Sequence, residues 1–287
     1  MASASYTETV SDSSIGEALR NGFKKVSSVT SLRTVLIAYA ILIAAYIYTP
    51  IISLIAFSFN EGGLTFPFVA VTTSWYAELF ANEAVTSSIV RSLKVALVVT
   101  VITTVLSTAA ALAYRYEFWG RKAILYILLL GIITPGITYG VGATLFFNEL
   151  LGLEKSLWLA IPVHVVWALP FAVIVLLAGI PPHLARNEQA ARVMGASNWT
   201  VFREVILPQI GPTVLGAAVF AFTLSYNEAT RSLLVVGQAN TMPIQIFSIA
   251  ASKRATPELF ALGSFTTVMS TLLLIGASLL IFYGGRN

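Results

Sequence analysis

The sequence predicts an all-α membrane protein with six transmembrane helices. Only 10% of its 287 residues are charged and 57% are hydrophobic, whereas about 25% of the residues in an ordinary soluble domain are charged. A spanning helix needs roughly 20 largely apolar residues. Six stretches reach that length, and we therefore expect an integral membrane protein that crosses the bilayer six times.

The six predicted spans are residues 34–59, 88–114, 122–147, 157–180, 211–236 and 259–283. Pro50 is expected to be a tolerated kink in the first span. The fifth span is the weakest, because its purely apolar part, residues 214–224, is too short to cross alone. It is therefore expected to continue through Tyr226 and Asn227 to Arg231.

The composition excludes several kinds of site. The chain has no cysteine, so a disulfide framework, a thiolate metal site and a cysteine nucleophile are excluded. Its two histidines, His164 and His183, predict no metal cluster. A packed, neutral His164 is favoured over a proton relay. The formal charge of +4 is small and does not indicate a nucleic-acid partner.

Residues 1–33 are predicted to be a cytoplasmic tail, and residues 34–287 to be the transmembrane domain. The tail is rich in Ser and Thr, and the apolar run behind it is too long for a cleavable signal peptide. Residues 15–23 are a candidate amphipathic helix on the membrane surface.

The positions of Lys and Arg predict the side of the membrane that each connecting segment faces. With the tail inside, 11 of the 17 basic residues lie inside and 6 outside. The inside set is Arg20, Lys24, Lys25, Arg33, Arg115, Arg121, Lys122, Arg186, Arg192, Arg203 and Arg286, and the outside set is Arg91, Lys94, Lys155, Arg231, Lys253 and Arg254. Both termini and residues 181–210 are therefore predicted to be cytoplasmic.

Two segments on the predicted outer side are expected to contain short helices. The segment 60–86 holds Trp75 among other aromatic residues, which is typical of a helix at the membrane interface. The segment 237–258 contains a second candidate helix, residues 243–253. Three further tryptophans near the ends of spans are interpreted as interfacial anchors: Trp119, Trp158 and Trp167.

Glycine and proline interrupt the third and fourth spans, most clearly at Thr134, Pro135 and Gly136. Small residues let helices pack closely, which explains the pattern without a functional role. Alternatively, spans three to five line a path and flex as it opens, because freed backbone groups are tolerated next to a water-filled cavity. The sequence leaves both interpretations open.

A polar stretch, residues 187–208, lies between the fourth and fifth spans and predicts two short helices separated at Gly195. In the first helix, Ala190, Ala191, Val193 and Met194 are expected to form a small apolar face, with Glu188 and Arg192 pointing elsewhere. Gly195 suits a left-handed C-cap, Ser197 suits an N-cap, and Pro208 is expected to end the second helix.

This stretch resembles the cytoplasmic EAA loop of the membrane subunits of binding-protein-dependent ABC importers. That motif reads Glu-Ala-Ala, three residues, Gly, nine residues, Ile, one residue, Leu-Pro. The matching positions here are Ala190, Ala191, Gly195, Leu207 and Pro208, with Val205 in the place of Ile. The sequence departs from the motif at its first position, where Gln189 stands and the acid is displaced to Glu188.

The resemblance covers residues 88 to the carboxyl terminus, including the basic turn Arg-Tyr-Glu-Phe-Trp-Gly-Arg-Lys that ends at Lys122. It implies six helices of the ABC importer permease type, with a cytoplasmic coupling helix between helices four and five. Residues 243–258 resemble the segment before the last helix in the spermidine/putrescine-type subgroup. A polyamine or related cation is therefore the implied solute.

The resemblance also implies partners. The chain has no Gly-x-x-x-x-Gly-Lys-Ser/Thr phosphate loop, so ATP and Mg²⁺ are expected on two partner ATPase subunits, with no cofactor in this chain. A second permease subunit, an extracytoplasmic solute-binding protein and the lipid bilayer complete the expected partners, and no nucleic acid is expected. The expected ATPase-docking residues are Glu188, Gln189, Ala190, Ala191, Arg192, Met194, Gly195 and Ala196, supported by Ser197, Phe202, Leu207 and Pro208.

Ionisable side chains within a membrane are costly and usually functional, and those of the fifth span are therefore candidates for the solute path. Glu228 and Arg231 lie three residues apart on one helical face and are expected either to neutralise each other or to serve transport. In the second interpretation Tyr226, Asn227 and Glu228 face a central path and contact a cationic solute.

Two other classes of membrane protein compete with the importer subunit. A secondary transporter driven by an ion gradient commonly has repeated halves with broken, charged helices, and the sequence shows no clear internal repeat. A membrane enzyme would need paired acidic or histidine motifs, which the sequence lacks. A secondary transporter also has no use for a docking loop.

Overall fold

A computed structural model describes residues 32–252 and 256–284 of the chain. Throughout these ranges the regular structure is helical, with one isolated antiparallel bridge between Asn60 and Val71. The helices are α1 (Leu32–Phe57), α2 (Ser74–Ala81), α3 (Glu83–Ala113), α4 (Arg121–Ile133), α5 (Gly136–Thr144), α6 (Ala160–Gly179), α7 (Leu184–Val193), α8 (Asn198–Thr200), α9 (Leu207–Tyr226), α10 (Met242–Ser252) and α11 (Pro257–Gly284).

Five helical segments in the described ranges are long and apolar enough to cross a membrane: Leu32–Phe57, Glu83–Ala113, Leu157–Gly179, Asn198–Tyr226 and Pro257–Gly276. A sixth span is formed if α4 and α5, with its π-helical extension to Leu150, are taken as one span, although they meet at an angle of 106°. The prediction of an all-α protein with six apolar crossings is confirmed. The third predicted span is the bent pair α4 and α5, which meet at the Thr134-Pro135-Gly136 interruption.

The predicted limits of the fifth span are wrong. The span begins at Asn198 and ends at Tyr226, so it starts 13 residues earlier than expected and does not continue to Arg231. Pro208 does not end a helix; it is the second residue of α9, and a π-helical segment, Val201–Ile206, leads directly into that helix. Residues 227–241 form turns rather than the end of a span.

The two short helices predicted in the segments 60–86 and 237–258 are present. The aromatic segment contains α2, and the second candidate is α10. The candidate amphipathic helix at residues 15–23 and most of the tail lie outside the described residues.

The chain divides into two compact units, one ending at Leu54 and the other beginning at Ile55. The described part of the first unit consists of most of α1. Every other helix belongs to the second unit, which contains the candidate site.

The centre of the second unit is a bundle of α3, α6 and α9. Small and β-branched side chains fill it, which permits close helix approach in the absence of a hydrophobic driving force between helices. One buried cluster includes Val95, Val99, Ala160 and Val163, and a second includes Ala111, Ala172, Leu176 and Ala217. Helix α11 packs against α9 and α2.

The two ends of this bundle differ. At one end, the Asn82 side chain caps α3 through the backbone N–H groups of Ala84 and Val85, and its amide also donates to Glu258 at the start of α11. The first residue of α10, Met242, also lies here, and its N–H donates to the Ser92 hydroxyl of α3 at 2.7 Å. We call this the α10 end. At the other end, α7 packs beside the turn that follows α3, and we call this the α7 end.

Candidate functional site

The inward face of α7 consists of Leu184, Glu188 and Ala191, which are buried. Their spacing of four and three residues places them on one side of an α-helix. Leu184 and Ala191 pack with Val201 and Ile206 of the π-helical segment. Helix α7 is thus held against the beginning of the fifth span.

Glu188 connects α7 to the end of α3. One carboxylate oxygen accepts a hydrogen bond of 2.5 Å from Arg115, and the other accepts one of 3.0 Å from Arg192. The hydroxyl of Tyr116 donates to the second oxygen at 3.4 Å. Burial alone raises the pKa of Glu188, but the hydrogen bonds and charges of the two arginines outweigh it and hold the pKa below its ordinary value of 4.5. The carboxylate is therefore charged at neutral pH.

Helix α7 ends in a left-handed C-cap at Gly195, as predicted. The φ of Gly195 is +85°, a conformation in which a Cβ is strained. Its N–H donates to Arg192 O at 3.0 Å, and the N–H of Ala196 donates to Ala191 O at 3.0 Å. This is a Schellman motif, and the packing of Ala196 against the cluster around Ala191 supplies its apolar contact.

The next helix begins where the sequence indicated. The Ser197 hydroxyl accepts a hydrogen bond of 3.2 Å from Thr200 N, which caps α8. From Asn198 the chain remains helical to Tyr226. Phe202 is half-buried and packs on the α7 contact, whereas Leu207 is exposed.

The outward face of this region is apolar. Val193 is 90% exposed, Met194 81% and Trp199 67%. Gln189 and Ala190 are also exposed. We refer to these five residues as the α7 surface. Arg192 borders it and is fixed by a hydrogen bond of 2.6 Å to Asn198.

The predicted apolar face of α7 is therefore only partly right. Ala190, Val193 and Met194 do share a face, but Ala191 points inward, because it lies about 100° further round the helix than Ala190. Glu188 also points inward, to Arg115. Trp199 was missed, although an aromatic residue inside a polar stretch was a visible signal.

A second group of polar residues lies directly after α9. The Glu228 carboxylate accepts hydrogen bonds from the backbone N–H of Arg231 at 3.0 Å, from its Nη1 at 2.9 Å and from the Thr230 hydroxyl at 2.9 Å. Glu228 and Arg231 are both buried. The predicted pairing of these two residues is confirmed, but the pair forms in a turn after α9 and not on one helical face.

Trp167 of α6 completes this group, which we call the Glu228 cluster: Trp167, Glu228, Thr230 and Arg231. The guanidinium carbon of Arg231 lies 3.4 Å from the centre of the Trp167 indole ring. Such cation–π contacts are strongest where water is excluded. The prediction that Trp167 is an interfacial anchor near the end of a span is wrong, since Trp167 lies in the middle of the span Leu157–Gly179.

The Glu228 cluster packs against the broken third span. A Cβ on Gly136 would lie 2.5 Å from the Thr230 hydroxyl oxygen, and a Cβ on Gly140 would lie 2.9 Å from the backbone oxygen of Arg231. Glycine is therefore required at Gly140 by close contact with backbone. The bend at Thr134 to Gly136 thus allows the third span to pack closely against the turn that contains Thr230 and Arg231.

The other two predicted path residues do not join the cluster. Tyr226 is buried beside Phe222 and directs its hydroxyl to the sulfur atoms of Met242 and Met269. Asn227 is exposed, and its amide donates to Thr223 O at 2.9 Å. Of the four predicted residues, the structure thus brings together Glu228 and Arg231.

The described residues contain no group of three His, Asp or Glu side chains that could hold a metal ion. His164 is buried, and its Nδ1 lies 2.8 Å from the Ser225 hydroxyl. This agrees with a packed histidine.

Comparison with known proteins places this architecture in a family. The family model described as "Binding-protein-dependent transport system inner membrane component" matches residues 103–284. The spermidine/putrescine transport system permease protein PotC of Escherichia coli (strain K12) is 30% identical over 240 residues, which are 83% of this chain and 90% of PotC. The putrescine transport system permease protein PotI of the same strain is 27% identical and aligns with 76% of this chain and 80% of PotI.

Solved structures show the same fold. A bacterial ABC transporter involved in the import of the acidic polysaccharide alginate has a TM-score of 0.61 at 18% identity, covering 93% of this chain and 99% of that one. The MetNI methionine ABC transporter has a TM-score of 0.55 at 18% identity, covering 71% and 99%. At these identities the likeness concerns the fold alone. The family model covers more than half of the chain, which therefore belongs to the binding-protein-dependent transport system inner membrane components and is a non-catalytic, membrane-spanning permease subunit of an ABC importer.

Proposed function

We propose that this permease forms half of a translocation path, paired with a second permease subunit above two ATPase subunits that bind ATP and Mg²⁺. Helix α7 is the coupling helix and lies in the cytoplasm, as do both termini. The observation that carries the proposal is the α7 surface. Val193 and Met194 at the end of α7 and Trp199 at the start of the fifth span expose apolar area at the α7 end of the bundle, and an exposed apolar patch is typical of a protein-binding site.

The contacts behind the α7 surface support a mechanical role. Glu188 ties α7 to Arg115 after α3, and the Leu184 contacts tie it to the start of the fifth span. Displacement of α7 would therefore move two of the three central helices. A loop without these contacts would absorb the displacement instead.

The proposed cytoplasmic side rests on the distribution of basic residues. Arg115, Arg121, Lys122 and Arg192 belong to the α7 end, and the predicted inside set holds 11 of the 17 basic residues against 6 outside.

Transport also requires two states of the permease. The permease must have an inward-open and an outward-open state. The ATP-loaded ATPase and the loaded binding protein must each bind one of these states more tightly than the other, because a ligand shifts a conformational equilibrium only when its affinities for the two states differ. Binding of nucleotide on the partner would bias these states through α7. The permease subunits form the translocation path for the solute, and the ATPase subunits hydrolyse ATP.

Cysteine cross-linking tests the docking arrangement directly, because the chain has no cysteine of its own. Ala190→Cys or Val193→Cys should cross-link to a cysteine placed in the cleft of the co-expressed ATPase subunit, and nucleotide should change the yield. Ser252→Cys, exposed at the α10 end, serves as the matched control and should give no ATPase adduct. Equal yields from Ser252→Cys and Val193→Cys would contradict the proposed side and surface.

For the solute, we propose a polyamine or a related cation, delivered by an extracytoplasmic binding protein. The relatives PotC and PotI are named for spermidine and putrescine transport. The Glu228 carboxylate has the charge to contact a cation, although Arg231 neutralises it in this arrangement. Spermidine should stimulate ATP hydrolysis by the reconstituted importer with its binding protein, whereas an alginate oligosaccharide should not. Stimulation by the oligosaccharide alone would refute the cationic class and leave the permease assignment intact.

A further inference from the structure

The turn between α3 and α4 borders a cleft of about 610 Å³ at the α7 end, which we call the Lys122 cleft. Its lining includes Tyr114, Gly120, Arg121, Lys122, Leu125 and Leu177. Leu125 belongs to α4 and Leu177 to α6, so one wall of the cleft is part of the membrane-spanning region. The other wall is the polar turn that precedes α4 together with the first residues of α4, Arg121 and Lys122. The cleft therefore crosses the boundary between apolar and polar surroundings.

The polar wall is positively charged. The Arg121 guanidinium pairs with Glu117, but that carboxylate is 90% exposed and such surface pairs contribute little. The Lys122 ammonium is exposed and has no ion pair or hydrogen bond with any other described residue. Two cations and one carboxylate give the lining a net charge of +1.

The backbone of the cleft adds to this charge. Gly120, with φ +86°, precedes the first residue of α4 and has no side chain to cap the helix. Gly120 and the first residues of α4, 121–123, all line the cleft. The N–H groups at a helix start carry partial positive charge. That of Arg121 donates to Phe118 O at 3.3 Å, and no side chain caps the first turn. A Cβ on Gly120 would meet no atom within 4 Å, so the space in front of this turn is open.

The aromatic side chains around the cleft fit the membrane interface. Trp119 is 99% exposed and lies directly before Gly120. Exposed tryptophan at the end of a span is typical of the headgroup level. Tyr114 donates a hydrogen bond of 2.9 Å to the backbone oxygen of Arg121, which fixes the turn at that level. The interpretation of Trp119 as an interfacial anchor agrees with this placement.

A ligand of the Lys122 cleft must combine an anionic head with an apolar chain. A soluble anion would leave the Leu125 and Leu177 wall uncovered, and a zwitterionic lipid, whose choline cation balances its phosphate, would leave the net charge of +1 on the lining uncompensated. Basic pockets between transmembrane helices are suited to anionic lipid headgroups. We propose that the Lys122 cleft binds the headgroup and upper acyl chain of an anionic phospholipid, with Lys122 contacting the phosphate.

This site adjoins the α7 contact but is separate from the proposed docking surface. Tyr114 and Leu177 also line a neighbouring cleft that contains Arg115 and Glu188. A bound lipid would therefore rest against the residues that hold α7. The permease assignment does not depend on this site.

Fluorescence quenching by brominated lipids tests the proposal. The full chain is placed in nanodiscs containing brominated phosphatidylglycerol or brominated phosphatidylcholine, and the signal of Trp119 is obtained by subtracting that of Trp119→Phe. We expect an apparent affinity about fivefold higher for phosphatidylglycerol, the effect of about one basic side chain at an anionic surface. Lys122→Gln should bring the two lipids to equal quenching.

The controls separate the possible sources of the effect. Lys155→Gln removes the same charge from an exposed residue near Gly237 at the other end of the bundle and should keep the fivefold preference. Millimolar inorganic phosphate should leave the preference unchanged. Loss of the preference in phosphate would show a free-anion site and overturn the lipid assignment. Equal quenching of the wild-type protein by both lipids would overturn it as well, whether or not Lys122→Gln folds.

Discussion

The Glu188 carboxylate on α7 lies 2.5 Å from the guanidinium of Arg115, which follows the last turn of α3. The two residues are 73 positions apart in the sequence, so their contact fixes a short helix to a central span. Both side chains are largely buried, with 7% and 14% exposure. Docking and transport should therefore depend on residues that face away from the docking partner.

Glu188→Gln should loosen α7. The amide keeps the shape but leaves the buried Arg115 cation without a counter-charge, which should lower the opening free energy of α7 by about 2 kcal/mol. Hydrogen exchange of the α7 amides measures this quantity. Glu117→Gln, which removes the exposed partner of Arg121, is the matched control and should have little effect. Equal protection of α7 in Glu188→Gln and wild type would show that the ion pair does not hold the helix.

The same ion pair predicts a pH dependence of α7. Because the folded-state pKa of Glu188 is below 4.5, its contribution is fully present above pH 4.5 and is lost as the pH falls through the folded-state value. Protection factors of α7 should thus decrease in acid. Glu188→Gln has no carboxylate at this position and should show a smaller decrease. A decrease of the same size in the variant would assign the effect to other groups.

Substitutions at Gly195 test whether transport depends on the left-handed backbone conformation of the bend after α7. A side chain at φ +85° costs about 1–2 kcal/mol for most residues, whereas Asn adopts this region readily. Since a Cβ would meet no atom within 4 Å, any cost comes from the backbone and not from crowding. Gly195→Val should reduce solute uptake per ATP hydrolysed, and Gly195→Asn should stay close to wild type. Similar uptake ratios for both variants would argue against a conformational role.

Two glycines of the broken third span give a matched pair. Gly140→Ala places a Cβ 2.9 Å from the backbone oxygen of Arg231, and the overpacking should destabilise the protein by about 1–3 kcal/mol. Gly142→Ala meets open space and should be neutral or more stable by up to about 1 kcal/mol, because Ala favours the helix. Thermal unfolding in detergent compares them. A loss of stability in Gly142→Ala equal to that in Gly140→Ala would indicate a general intolerance of α5 to alanine.

The other spans could be predicted from hydropathy because their apolar stretches are longer than the helices of a soluble core require. The fifth span shows the limit of this reasoning. Arg203, Glu204 and Gln209 are polar, so the apolar count began at Gly211, although the helix starts at Asn198. Backbone hydrogen bonding, including the π-helical segment, continues through polar residues where they lie at the end of a bundle. Hydropathy does not register that continuity.

The site was predictable in part for a similar reason. Local rules gave the Gly195 and Ser197 caps and the pairing of Glu228 with Arg231, since these contacts span only a few residues. The partners of Glu188 and Arg231 that lie far away in sequence, Arg115 and Trp167, depend on how the helices pack. No spacing within one helix indicates them.

Single and double variants of Glu228 and Arg231 distinguish a structural ion pair from a direct contact between Glu228 and the solute. Glu228→Gln leaves the buried Arg231 cation unpaired, and Arg231→Gln leaves the buried carboxylate unpaired, so each should destabilise the protein by about 3 kcal/mol. The double variant leaves no unpaired charge and should lose much less than the sum, with a coupling of about 2 kcal/mol or more. Because Arg231 also rests on Trp167, Arg231→Gln is expected to be the costlier single change.

Spermidine uptake is then compared at equal amounts of folded protein. If the two residues are a structural pair, the double variant should recover uptake. If Glu228 contacts the cation directly, Glu228→Gln and the double variant should lose uptake equally. Additive losses of stability would contradict the pairing itself, because two independent sites have no coupling energy.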